Sequence, residues 1–192
     1  MKKFILFILF LFCSFFLNAQ YINYSQFYSS PHSLNPALSG SGEFGRIGVI
    51  YRNQWPLIDN GYQFFTSWID YNLAKSNFSF GINFSNEKVG INSLSTSHVS
   101  PSLSYEINLS YDWVIRSGIQ ISYTNSNFDS QNLLFYDQFQ QNGSINPTLE
   151  NLSAFEKVNY LNLAVGLIAY SNNVWLGASI YNLPKPNISF SD

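Results

Sequence analysis

His98 and Ser100 lie two residues apart in "STSHVSP". On a strand they would share one face, the placement at which a base could serve a serine nucleophile attacking an acyl chain at a membrane surface. The stretch offers neither a third group to orient the base nor an oxyanion donor, so phospholipase chemistry is not expected. His32, in "SSPHSLNP", is the other histidine, and neither has a carboxylate or second histidine at ligand spacing. Both are therefore assigned to polar loop or strand-end positions and no metal centre is expected. Gly40, Gly42, Gly45 and Gly48 run along a turn and a strand rather than opening a helix, which removes a phosphate-binding loop. Close packing and strand bending are their expected roles. No cofactor and no enzymatic activity follow from these residues.

One cation has an unusual setting. "YRNQWP" places Arg52 between Tyr51 and Trp55, in a 192-residue chain with only 10% charged residues and 18% aromatics. An ordinary soluble domain carries roughly a quarter charged residues, so something other than a water-facing surface is being built. A guanidinium has five fixed donors and sits well over an aromatic face, so Arg52 could tie a strand's rim to its loop through Tyr51 and Trp55. Tyrosine and tryptophan suit a membrane interface, where the ring is half buried and its polar atom stays wet. A structural clasp and a direct partner contact both remain open for this motif. Asp70 and Arg116 fall inside predicted strands, where facing lipid would be costly. They are assigned to the interior as partners of one another, with a pore-lining role as the alternative.

The N-terminus says where such a surface is needed. Lys2 and Lys3 precede an apolar run from Phe4 to Leu17, and "LNAQ" supplies Ala19 as a small residue for cleavage. About 14 apolar residues fall short of the roughly 20 that a spanning helix requires, so residues 1–19 read as a secretory signal peptide. Cys13, the chain's one cysteine, lies in that run behind Phe12, the wrong setting for lipid attachment. The mature chain then has no thiol for disulfides, metal ligation or catalysis. Without Lys2 and Lys3 it holds 7 basic and 11 acidic residues, a net charge of 7 − 11 = −4, which leaves nucleic acid without a basic patch to bind.

Period-two alternation dominates the mature chain. In "NFSFGINFSN", Phe78, Phe80, Ile82 and Phe84 point one way and Ser79, Gly81, Asn83 and Ser85 the other. In "WVIRSGIQISY", Trp113, Ile115, Ile119, Ile121 and Tyr123 share a face with Ser117, opposite Val114, Arg116, Gly118, Gln120 and Ser122. Further runs at 45–53, 62–72, 96–107, 161–170 and 174–181 bring the count to about seven strands, with no convincing helix after the leader. An apolar outer face with aromatics at its ends is what lipid demands of a transmembrane strand. A soluble β-sandwich alternates in the same way. Connection lengths favour the barrel: "LAKSN", "NLSYD" and "SNN" are short, while "NEKVGINSLST" and the Asn125–Asn159 stretch are long. "QWPLIDNG" is intermediate. With the N-terminus in the periplasm, parity puts Trp55 and Asp59 at the outer end. Pro101 is expected to mark a bulge, an edge or an irregular start in the fourth strand. The Asn- and Gln-rich Asn125–Asn159 loop is long enough to carry a role of its own or to be partly disordered. "NISF" near the end reads as the start of another strand, and seven to eight strands without closure leave edges that lipid does not tolerate.

The fold class is therefore all-β, an incomplete antiparallel transmembrane β-barrel of outer-membrane type. Residues 20–43 form an N-terminal periplasmic segment with an Asn-Pro-Ala motif, and residues 44–192 the partial barrel.

"SQFYSSPHSLNPALSG" followed by "YRNQW" resembles the PorP/SprF family of membrane proteins linked to type IX secretion and gliding motility. The resemblance is carried by Asn35, Pro36, Ala37 and Gly40, then Tyr51, Arg52, Asn53, Gln54 and Trp55. It extends more loosely through "GINFSNEKVG" and "VWLGASIYNL". Family members are usually longer, so the resemblance implies an N-terminal part of a longer chain. It implies an outer-membrane barrel without catalysis of its own, working in the secretion and motility machinery. The implied partners are outer-membrane lipid, the periplasmic ring-forming subunits and, in one branch, a large secreted adhesin. A passive porin and a surface β-sandwich adhesin are the rival readings.

Overall fold

The structure, a computed structural model, describes residues 27–58, 61–73, 76–90, 94–128 and 157–187. The expected leader, Asp59, most of the Asn125–Asn159 connection and residues 188–192 lie outside these.

Seven antiparallel strands follow one another in chain order: β1 (Arg46–Gln54), β2 (Tyr62–Asn72), β3 (Phe78–Val89), β4 (Leu94–Asn108), β5 (Val114–Asn127), β6 (Lys157–Tyr170) and β7 (Trp175–Ile180). Each pairs with its neighbours and the sheet curls into a half-barrel. β1 to β6 have 9 to 15 residues, enough to cross a bilayer at a barrel's tilt.

The polarity of the two faces decides the environment. Ile47, Val49 and Tyr51 on β1, Ile69 and Tyr71 on β2, and Phe78, Phe80, Ile82 and Phe84 on β3 all stand exposed on the convex side. Leu103, Tyr105 and Ile107 of β4 and Ile119, Ile121 and Tyr123 of β5 continue the same band. Aromatic rings meet within it, Phe78 with Tyr105 at 4.7 Å and Tyr71 with Phe80 at 5.9 Å between centroids. The concave side is polar: Thr66, Asp70, Ser79, Asn83, Ser102, Ser104, Arg116, Gln120 and Thr124 are all buried there. Among the described residues, proline and glycine aside, five buried side chains are apolar and sixteen are polar or charged. A soluble sandwich buries the opposite set, so this sheet is built for lipid outside and a polar lumen inside.

Two connections differ from the sequence reading. The stretch expected as a long loop after the third strand is mostly strand: Glu87 pairs with Thr96, Lys88 with Ser95 and Val89 with Leu94, leaving only residues 90–93 between the paired segments. Polar residues at a barrel's rim remain strand because the ladder continues above the apolar band, which hydropathy cannot register. β5 and β6 likewise extend together to the Asn127–Lys157 pair.

Pro101 makes neither a bulge nor an edge. It sits inside β4, paired with Ile82 on one side. On the other side the pairs Val99–Tyr123 and Ser102–Gln120 enclose two residues on each strand, so the register is unbroken. With no N–H to give, Pro101 opens the β4–β5 ladder locally without shifting it.

Residues 27–41 are the other departure from a pure strand pattern. A 3-10 turn at Phe27–Ser29, a one-turn helix α1 (Pro31–Leu34) and a second 3-10 turn at Pro36–Leu38 pack against the concave face.

Candidate functional site

The Asn-Pro-Ala motif is the centre of that packing. Pro36 opens the second 3-10 turn, where its fixed φ is already correct and its missing N–H costs nothing. Asn35 caps the turn: its Oδ1 accepts from the Ala37 amide at 2.9 Å. The other end of the same side chain donates to the carbonyls of Leu167 at 3.2 Å and Ala178 at 3.0 Å, bridging β6 and β7. One amide thus shapes the turn and fastens it to the wall.

The wall is hollowed to receive it. A Cβ on Gly118 would lie 2.3 Å from the Ala37 nitrogen and 2.4 Å from the Pro36 carbonyl carbon. A Cβ on Gly166 would overlap Oδ1 of Asn35 at 1.9 Å, and one on Gly81 would strike His32 at 2.2 Å. Gly118 therefore lets the backbone at Pro36 and Ala37 approach the sheet, while Gly81 and Gly166 make room for the side chains of His32 and Asn35. Gly40 has a φ of +60° and a Cβ there would meet the Tyr71 carbonyl at 2.9 Å, so the chain leaves the turn through a residue that only glycine fits well.

Backbone carbonyls in an irregular buried segment need donors, and the wall's side chains supply them. Trp68 Nε1 donates to the Ser29 carbonyl at 3.1 Å, Tyr181 to His32 at 3.1 Å and Ser179 to Leu34 at 2.9 Å. Arg116 donates through Nε to the Ala37 carbonyl at 3.1 Å and through Nη2 to that of Ser39 at 2.8 Å. Ser104 adds a bond to the Ser39 carbonyl at 2.7 Å, and Arg46 reaches that of Leu38 at 3.3 Å.

Two ion pairs flank the segment. Asp70, wholly buried, receives Arg46 at both carboxylate oxygens, Nε to Oδ1 at 3.1 Å and Nη2 to Oδ2 at 2.5 Å, and also accepts the Gly40 amide at 2.9 Å. Arg116 pairs with Glu106 at 2.6 Å, and Tyr170 donates to the same carboxylate at 3.3 Å. Asp70 and Arg116 both face the interior as expected, but each has a different partner from the one the sequence suggested. Their charges are matched along neighbouring strands, Arg46 opposite Asp70 and Glu106 opposite Arg116 in the ladders. A register pairing of this kind is invisible without knowing which strands are neighbours.

His32 is not a loop histidine. It is buried on α1, its Nδ1 bonded to Ser39 Oγ at 3.0 Å and 3.3 Å from Ser102 Oγ, its ring 5.4 Å from that of Trp68. Nε2 faces Asp70 at 3.6 Å. Burial lowers its pKa to about 4, against an upward pull from Asp70 and a downward push from Arg46. An unfolded histidine titrates near 6.5, so the seated, neutral form is fully stable above that pH and loses stability as pH falls towards 4. The expected loss across this window is about 3 kcal/mol, from 1.36 kcal/mol per unit. Melting of the detergent-solubilised protein at pH 7.5 and pH 4.5 reads it; His32→Gln, neutral throughout, is expected to lack that part of the acid sensitivity. An identical acid loss in the variant would assign the effect elsewhere.

His98 and Ser100 share the inward face of β4. His98 Nδ1 is engaged with Thr124 Oγ1 at 2.7 Å, across β4 and β5.

The second half of the motif is at the far end of β1. Tyr51 stands on the lipid face, whereas Arg52 turns inward and lies over Tyr62, 5.5 Å from its centroid, with Nη2 donating to Gln54 at 2.5 Å. The expected partners Tyr51 and Trp55 are replaced because alternation puts Tyr51 on the opposite face, while β2 brings Tyr62 opposite Gln54. Trp55 is exposed and turns the chain with a φ of +60°. Arg46 and Arg52 are six residues apart on one strand, roughly 20 Å at 3.3 Å per residue, so seat and rim are separate places.

The sequence motif therefore divides between a luminal seat, Asn35 to Gly40, and a strand rim, Tyr51 to Trp55. A family profile described as "Type IX secretion system membrane protein PorP/SprF" matches residues 16–192. The chain belongs to the PorP/SprF family. No curated protein and no solved structure matches it. Membership makes this PorP/SprF chain an outer-membrane component of the type IX secretion system. Arg46, Trp68, Ser79, Ser102, Ser104, Gly118 and Gly166 complete the PorP/SprF seat, and sequence reasoning does not pick them out as its parts. The available signal is glycine at inward positions of otherwise regular strands, at Gly81, Gly118 and Gly166.

Proposed function

We propose that this PorP/SprF protein acts without catalysis, supporting the export or surface anchoring of specific secreted proteins. Its partners are the periplasmic ring-forming subunits of the machine and a large secreted adhesin. The observation that carries the reading is the use made of the inward polar groups. Arg116, Asp70, His32 and the serines around them are spent on holding residues 27–41, and the one histidine beside a serine on the wall is bonded to Thr124. The test compares secreted and surface proteomes with and without the gene, with outer-membrane integrity followed in parallel. Selective loss of one or a few exported proteins supports the reading; an unchanged secretome with altered solute permeability assigns a porin instead.

We assign the rim residues Tyr51 to Trp55 to a clasp between β1 and β2. Arg52→Ala is expected to lower the melting midpoint slightly, through loss of about 1 kcal/mol of cation–π contact, with secretion retained. Unchanged assembly with lost secretion would make the rim a partner contact.

A further inference from the structure

We infer that the concave wall is a binding site for a short, turn-forming peptide, and that residues 27–41 are its resident occupant, a plug that obstructs the lumen. This goes beyond the secretion role and does not depend on it, since a plug and its effect on conduction are measured without any secreted protein.

Three observations converge. The wall is cut to the shape of the segment: Gly81, Gly118 and Gly166 vacate the positions that His32, Ala37 and Asn35 fill, with no room for even one carbon more. The segment contributes small buried residues, Ser30, Ala37, Ser39 and Gly40, which bring its backbone against the wall beside the buried side chains of His32 and Asn35. Side chains from β1, β2, β4, β5 and β7 then converge on its carbonyls, so its position is specified from both sides of the half-barrel.

The contact is also of a kind that can exchange. It is held chiefly by hydrogen bonds from wall side chains, two of them arginines paired within the wall itself, and among the side chains described in the segment Pro36 and Ala37 are the wholly buried apolar ones. Water or another peptide with free carbonyls and an Asn-Pro turn can satisfy the same donors, whereas an apolar seam would keep its occupant by the hydrophobic effect. The class of ligand recognised is therefore a polar turn peptide presenting an asparagine amide and consecutive backbone carbonyls.

The test uses the exported full-length protein, reconstituted in planar bilayers. Ser39→Cys with Ser102→Cys replaces hydroxyls that touch at 2.7 Å, within reach of a disulfide. It is expected to cross-link on oxidation in intact outer membranes and to conduct poorly. Gly118→Val adds a side chain aimed at the Ala37 backbone while leaving the lipid face unchanged. It is expected to unseat the segment, raise conductance and cut the cross-link yield by about tenfold or more, the response to a shift of at least 1.4 kcal/mol. Asn35→Ala alters the plug alone and serves if Gly118→Val fails to assemble; the same direction is expected. Absence of the cross-link between positions 39 and 102, or equal conductance in the stapled, native and unseated forms, overturns the plug.

Discussion

Replacing Arg116 by methionine is expected to cost the fold about 3 kcal/mol, towards the low end for breaking a buried ion pair because Glu106 keeps some contact with water. The side chain is almost wholly buried and serves three parties at once: Glu106, the carbonyls of Ala37 and Ser39, and the hydroxyls of Ser79 and Ser104. Methionine keeps much of the volume, so the loss reports polar contacts and charge rather than a cavity. It leaves the Glu106 carboxylate with only Tyr170 and strips two buried carbonyls of their charged donor. The melting midpoint in detergent should fall, and proteinase K should cut residues 27–41 at concentrations that spare the native protein. Adding Glu106→Gln should recover part of the midpoint, because no uncompensated charge then remains, but should leave the segment sensitive to protease. A midpoint and a cleavage pattern like those of the native chain would show that Arg116 does not hold the plug.

Asp70→Asn is expected to cost about 2 kcal/mol, less than the Arg116 change because a third of the Arg46 side chain is open to water and can be rehydrated. Asparagine keeps the shape but offers one acceptor where the carboxylate offered two, so the two-point grip on Arg46 is lost. The Gly40 amide also loses a charged acceptor. A second effect separates this from simple destabilisation. Asp70 is the group that pulls the His32 pKa upward, so its neutralisation moves that pKa further below about 4. The acid loss of stability then extends to lower pH and grows larger than in the native chain. A parallel pH profile, merely displaced downward, would mean that His32 does not feel Asp70.

Sequence reading reaches the wall far better than what lies against it. Alternation from Trp113 to Tyr123 gives each residue its face, and Arg116, Gly118 and Gln120 turn inward as that alternation requires. The membrane character follows from the same pattern, because a lipid-facing row of Phe78, Phe80, Ile82 and Phe84 opposite serines is written in consecutive residues. The motif residues Asn35, Pro36, Ala37 and Gly40 are also legible, but as the mark of a family rather than as a shape. Nothing in their order says that the Asn35 amide spans Leu167 and Ala178, more than 130 residues on.

Three of the errors are of one kind. Sequence proximity matches Arg52 to Tyr51 and Trp55, whereas the ring beneath it is Tyr62; inward placement of both charges offers Arg116 to Asp70, whose partner is Arg46. Pro101, expected to distort its strand, is carried by an intact register with β5. In each case a residue on the adjacent strand decides what the local sequence leaves open.

By itself the sequence determined the strands, the direction each side chain takes and the lipid-facing character of one side, because these depend on a two-residue period that any local window contains. Only the tertiary structure decided which inward groups meet and what they hold. Register between strands sets the pairs Arg46–Asp70 and Arg116–Glu106, and a buried segment without a ladder of its own must take its hydrogen bonds from whichever wall it lies against.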